Sequence, residues 1–139
     1  MMGVRVLRAR TLMVGVLLLL LLFLSACSKD SSAKQEEVVK KVLDLQQVKY
    51  ADVQVKGSSV EITYEASEAT AFDNQLLVDW GTIFGTMAEF PYDPITIVNT
   101  INGEPTAEVI TTRADVHDFL RGVKNESQFW ESVDIKAVK

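Results

Sequence analysis

An apolar run from Thr11 to Leu24 divides this sequence into two unequal parts. It holds seven leucines between Leu17 and Leu24, broken only by Phe23. Arg5, Arg8 and Arg10 precede it, with no acid among them. It ends at Ser25-Ala26-Cys27, and Cys27 is the only cysteine. A spanning helix needs about 20 apolar residues to cross roughly 30 Å of hydrocarbon, and this run has about 14. A basic start, a short apolar stretch and small residues before a cut form the pattern of a signal peptide. The folded domain must then be built from the residues after Cys27.

The end of the run, Leu24-Ser25-Ala26-Cys27, resembles the lipobox of prokaryotic lipoproteins: an aliphatic residue, two small residues and a cysteine. The resemblance stops at Ser28, and the rest of the chain resembles no family. It implies cleavage between Ala26 and Cys27, a diacylglyceryl thioether on Cys27, and a further acyl chain such as palmitate on the new amino terminus. One acyl chain gives marginal membrane binding, whereas two or three hold a protein stably. It also implies a lipid-anchored location at the cell membrane or outer membrane, with the domain facing the periplasm or the exterior. In a two-membrane host, Ser28 in place of Asp favours the outer membrane. Read from the residues alone, Cys27 could instead end an ordinary secretory signal or be a free thiol beside a membrane helix.

The leader takes three of the 14 basic residues and none of the 19 acidic ones. The remainder is therefore more acidic than the −5 of the whole chain. That balance argues against nucleic acid, whose phosphates require Lys and Arg clusters. It also argues against lying flat on anionic lipid. An acylated Cys27 leaves no thiol for a disulfide, so packing alone must stabilise one modest core. The expected layout is a signal peptide over 1–26, the lipidated cysteine and a small, polar, flexible tether over 27–34, and one α+β domain over 35–139.

Ser32 and Gln35 have capping-box spacing, which predicts a helix from about Ala33, with Val38, Val39, Val42, Leu43 and Leu45 as its apolar stripe. Glu36 and Glu37 stand four residues before Lys40 and Lys41, the favourable order for surface pairs. Two alternating runs flank Gly57-Ser58. A two-residue type II′ turn pairs Val55 with Val60 and Val53 with Ile62, which puts the apolar residues on one face. Thr70, with Asp73 three residues on, predicts the start of a second helix. Its stripe is Phe72, Leu76, Trp80, Ile83, Phe84 and Met87. Gly81 and Gly85 share one side of it. Each costs about 1 kcal/mol against Ala, so a close approach of another element is expected there.

Pro91 and Pro94 end that helix in a Glu89-Phe-Pro-Tyr-Asp-Pro94 loop. A second hairpin spans Ile95 to Thr112. Asn102-Gly103 suggests a two-residue type I′ turn, but that register sets Ile97 opposite Glu108. A three-residue loop, Ile101-Asn102-Gly103, with Gly103 as a bulge, pairs Ile97 with Ala107 and Ile95 with Val109, and is preferred. Thr112 and Asp115 cap a third helix carrying Val116, Phe119, Leu120 and Val123. A helical turn from Glu126 to Ser132 comes next with Phe129 and Trp130 inward, then an edge strand over 133–137. The expected fold is α+β: an antiparallel sheet of about five strands with helices on one face, in the order α-ββ-α-ββ-α-β. Glu61, Thr63, Thr96, Thr100, Thr106 and Glu108 should mark the open face.

No catalytic set emerges. His117 is the only histidine and an acylated Cys27 leaves no thiol, so no transition-metal site is expected, and no DxDxDG run exists for calcium. Nucleophile and phosphate-loop motifs are missing. Asp73, Asp79, Glu89 and Asp93 are scattered charges without a pairing. Asn125-Glu126-Ser127 fits either a glycosylation acceptor or a helix cap. The loop with Phe90, Tyr92 and Asp93 is the most unusual surface candidate. It is either a lid packed on the core or an exposed aromatic contact for a partner. The expectation is a non-enzymatic, lipid-anchored domain, without a cofactor, that binds a protein partner or envelope component. The alternative is a small-molecule binding domain with an apolar pocket between core helix and sheet, bordered by Gly81, Gly85 and Trp80.

Overall fold

The computed structural model describes residues 29–67 and 74–139. The lipobox, Cys27, and the expected helix cap at Thr70 with Asp73 and Phe72 lie outside the described residues. The elements are α1 (Lys29–Leu45), β1 (Asp52–Lys56), β2 (Ser59–Glu65), α2 (Asn74–Met87), β3 (Ile95–Ile101), β4 (Glu104–Thr111), α3 (Arg113–Leu120), α4 (Glu126–Ser132) and β5 (Asp134–Ala137). The domain is α+β in the expected order, with the helical turn before β5 formed as α4.

Helix α1 begins at Lys29, ahead of the expected Ala33, so residues 29–34 are helical rather than a flexible tether. Its inward residues are Val39 and Leu43, both fully buried, while Val38 and Leu45 face solvent. Glu37 and Lys41 pair at 3.0 Å as their spacing suggests. Glu36 and Lys40 do not pair with each other. Lys40 reaches Asp52 of β1 at 3.5 Å, and the Glu36 carboxylate accepts the Val55 N–H at 2.9 Å. That bond satisfies a backbone donor on an edge strand, where an unpaired N–H invites another chain. The helix ends with Gln47 left-handed at φ 56°, and Val48 N–H donates to Leu43 O while Gln47 N–H donates to Asp44 O. This is the Schellman pattern.

The first hairpin has the expected register, with Val55 opposite Val60 and Val53 opposite Ile62. Gly57 has φ +62° and Ser58 is not left-handed, as a type II′ turn requires. The sheet runs β1-β2-β3-β4-β5, and one of its pairings corrects the expectation of an antiparallel sheet. Strands β2 and β3 are parallel, with Val60 opposite Ile95 and Ile62 opposite Ile97. The reason is the connection: α2 lies between them, and a strand–helix–strand crossover returns the chain in the same direction.

The second hairpin also differs from its expected register. Asn102 (φ 53°) and Gly103 (φ +79°) are both left-handed, so the loop is the two-residue type I′ turn. The extra residue sits further along, as a bulge where Asn99 opposes Ala107 and Thr100 opposes Pro105. The bulge puts Ile97 opposite Val109 and Ile95 opposite Thr111. The buried face is thus restored within the ladder instead of at the turn.

The core lies between the sheet and the helices. Leu76, Trp80, Ile83, Phe84 and Met87 of α2 are buried, as the stripe predicts. They meet Val53, Val55, Val60, Ile62, Ile95, Ile97 and Val109 from the strands. An aromatic cluster joins α2 to α3 and α4: Phe84 meets Phe129 edge-on at 6.2 Å, and Phe119 stacks on Phe129 at 5.0 Å. On the other face of the sheet, Glu61, Thr63, Thr96 and Glu108 are half-buried. Thr100 is buried there, because the Glu65 carboxylate folds over it and accepts its hydroxyl proton. Thr106 is turned by the bulge to bond Asn99.

Candidate functional site

Among the concavities along helix α2, one lies on its outer flank and one against the sheet. The outer groove has Gly81 and Gly85 in its floor. Val42 of α1, Leu77 and Val78 of α2, and Phe119, Leu120 and Trp130 of α3 and α4 line it. Val78 and Leu120 are 57% and 56% exposed, so its rim shows apolar side chains to water. The two glycines do not serve a close approach. A Cβ on Gly81 would meet Trp130 at 3.9 Å, an ordinary contact, and a Cβ on Gly85 would meet nothing among the described residues within 4 Å. What they provide is depth in the groove.

The inner pocket, about 630 Å³, lies between the first turns of α2 and the hairpin end of the sheet. Leu76, Leu77 and Trp80 form one wall, and Asn99, Ile101, Thr106, Ala107, Ile135 and Ala137 form the other. Trp80 and Asn99 are 6% and 4% exposed, yet Trp80 Nε1 and Asn99 Oδ1 have no hydrogen-bond partner among the described residues. A buried polar atom left unpaired costs about 1–3 kcal/mol. The Asn99 amide is fixed by its neighbour. The Thr106 hydroxyl donates its one proton to Asn99 O at 3.1 Å, so its lone pairs must accept from Asn99 Nδ2 at 2.8 Å. That leaves Oδ1 as the orphaned acceptor. The border expected for a single cavity is thus divided: Gly81 and Gly85 belong to the groove, and Trp80 to the pocket.

The loop of sequence-predicted contacts is mostly withdrawn from the surface. Tyr92 is buried and stacks on Phe90 at 5.8 Å, and burial raises its hydroxyl pKa. Phe90 is half-buried and reaches the edge of the groove. Asp93 is exposed, and its carboxylate accepts the Arg113 N–H at the start of α3 at 3.2 Å. The pair is a packed lid. No known protein family, curated protein or solved structure matches the chain.

The remaining polar candidates hold structure together. His117 Nε2 and Arg113 Nε both bond Ala88 O, at 3.1 and 3.2 Å. They thereby serve a carbonyl just past the end of α2, where the Arg113 guanidinium is favourably placed. Asp79 accepts the Tyr64 hydroxyl proton and also Gln75 Nε2 at 2.9 Å, tying α2 to β2. Burial, then the Asp79 carboxylate, pushes the Tyr64 hydroxyl well above the usual tyrosine range. The Thr100 hydroxyl and the Gly103 N–H hold the Glu65 carboxyl below its usual value. Asp115 is likewise lowered, by Lys124 and by the Thr112 hydroxyl, while Thr112 caps α3 as expected. Asn125 caps α4 in a capping box with Gln128. Glu89 is exposed at the groove. Among the described residues, no three His, Cys, Asp or Glu side chains gather as a metal site. Nor is any described helix long and apolar enough to cross a membrane.

Sequence reasoning singled out the two glycines by their cost to a helix. It missed the orphaned Trp80 and Asn99 atoms. Trp80 fell on the core stripe and Asn99 on the alternation of β3, and neither position signals that a partner would be lacking.

Proposed function

We propose that this chain is a membrane-anchored lipoprotein, fastened through lipid on Cys27, whose small extracytoplasmic domain binds a protein partner and performs no catalysis. The Leu-Ser-Ala-Cys motif after an arginine-led apolar run supports the anchor. The observation that carries partner binding is the groove over α2. Two glycines sit there at a cost to helix stability that no neighbouring side chain among the described residues repays, and apolar residues rim it. Val78 and Leu120 offer a partner exposed apolar anchors, and Thr82, Thr86, Glu89 and Glu126 offer it polar ones.

Two measurements test the two halves. Mass spectrometry of the mature amino terminus should show a lipid-modified Cys27, and a bare thiol or a retained leader would refute the anchor. A photo-crosslinking residue at Val78, used in intact cells, should yield one reproducible adduct. Gly85→Leu, which fills the groove, should abolish that adduct. Recovery of the uncrosslinked chain alone, or an adduct indifferent to Gly85→Leu, would refute the groove as the docking surface.

A further inference from the structure

We propose that β5 is a self-complementary edge through which two copies of this chain pair, antiparallel and in one register, into a continuous sheet. The inference rests on neither the outer groove nor the lipid anchor.

β5 is the last strand of the sheet, and all four of its residues are exposed. Val138 N–H donates to Thr106 O at 3.0 Å. Backbone groups alternate in direction along an antiparallel strand, so Lys136 and Asp134 also turn theirs to β4. Ile135 and Ala137 therefore turn their N–H and C=O groups away from the sheet. The opposite edge is guarded: α1 packs along β1, and the Glu36 carboxylate accepts the Val55 N–H at 2.9 Å. Nothing equivalent among the described residues covers β5. A lysine on a short edge strand commonly keeps other chains away. Here the charge pattern selects one chain instead. A two-fold axis through Ile135 sets that residue opposite its counterpart, and sets Asp134 opposite Lys136 of the second copy, twice over. The outward backbone groups make Ile135 a hydrogen-bonded pair, which exchanges both N–H···O bonds. Its side chain, 51% exposed on the helix side beside Val109, gains an apolar neighbour, and both charge pairs fall on the open face. Lys136 already opposes Glu108 of β4, so it would stand between two acids. An axis through Lys136 would oppose two lysines, and one through Ala137 would set Lys136 against Val138, so neither register matches the charges. One short strand covers less than the about 800 Å² per partner of a standard interface, so pairing should depend on concentration.

The test is disulfide trapping of the full chain in the cells that make it, with copper phenanthroline as oxidant. Peptide mass mapping locates each bond and so separates any that runs through Cys27. In a hydrogen-bonded antiparallel pair the Cα atoms stand about 5.5 Å apart, within disulfide reach, whereas diagonal neighbours stand about 7–8 Å apart. Ile135→Cys should therefore bond to its counterpart, and Lys136→Cys or Ala137→Cys should bond far less. In the Ile135→Cys chain, adding Asp134→Lys sets lysines against lysines, and adding Lys136→Glu sets acids against acids. Each should lower the trapped yield about tenfold. Producing the two altered chains together should restore the yield, as a bond between unlike chains, because each change then faces its opposite charge. A defect confined to each strand's own folding would not be rescued by mixing. No bond at Ile135→Cys, a stronger bond at Lys136→Cys or Ala137→Cys, a yield indifferent to the charge changes, or no rescue in the mixture would each overturn the inference. An adduct of Ile135→Cys with a different protein in place of a second copy would assign the edge to a foreign strand and overturn it too.

Discussion

Replacing Gly85 with alanine should stabilise this protein and weaken its partner binding at once. The added Cβ meets nothing among the described residues within 4 Å, so no strain opposes it. Gly85 lies within α2, where alanine is favoured over glycine by about 1 kcal/mol. Gly81→Ala gains a 3.9 Å contact with Trp130 and should contribute a similar amount. The pair together should reach about 2 kcal/mol at most, since the sites are one turn apart. For a domain of this size, each kcal/mol corresponds to about 4–8 °C in Tm. Thermal unfolding followed by tryptophan fluorescence would read the shift. The crosslinked adduct through Val78 should fall in the same variants, because each methyl raises the groove floor. If Gly85→Ala leaves Tm unchanged or lowers it, the glycine has a structural role that its open surroundings do not show. A docking role for the groove would then be refuted.

Other perturbations test the rest of the architecture. Phe129→Ala removes a fully buried ring from the Phe84–Phe119–Trp130 cluster and should cost about 3–5 kcal/mol in urea unfolding. Glu65 and Asp115 have lowered carboxyl pKa values, so their contribution is present above the ordinary carboxylate range and is lost as pH falls through the depressed values. Stability measured down the acid limb should therefore fall less steeply in the Glu65→Gln, Asp115→Asn double variant. Tyr50, Tyr64 and Tyr92 all have raised pKa values, and they are the only tyrosines. Their contribution is present below the ordinary tyrosine pKa and is lost as pH rises through the raised values. Tyrosinate absorbance should accordingly lag behind that of the unfolded chain. Asn102→Val should destabilise the second hairpin, since a β-branched residue resists the left-handed conformation of the type I′ turn.

Local features of the sequence carried most of the fold. The α2 stripe, the Gly57-Ser58 turn and the Thr112 cap each depend on residues within a few positions of one another. The two departures in the sheet arose where distant segments decide. Alternation in β2 and β3 tells which face is buried but not which strand lies alongside, so the parallel pairing was not legible. At the second hairpin the pattern correctly demanded one extra residue. It could not say whether that residue sat at Gly103 or within the ladder beside Asn99. The groove was partly legible, because Gly81 and Gly85 weaken a helix that otherwise needs its core stripe. The pocket was not, because an unpaired indole N–H becomes visible only once every neighbour has been placed.

Helix α1 starts at Lys29, two residues after the proposed anchor at Cys27. Two residues span at most about 7 Å. With lipid on Cys27 as proposed, the domain would have almost no leash. A 17-residue helix is roughly 25 Å long, and with β1 packed along it the whole globule would rest within a few nanometres of the headgroups. Anything it grips would have to be embedded in the same bilayer or reach down to it, and its capture would resemble a search in two dimensions more than one through a volume.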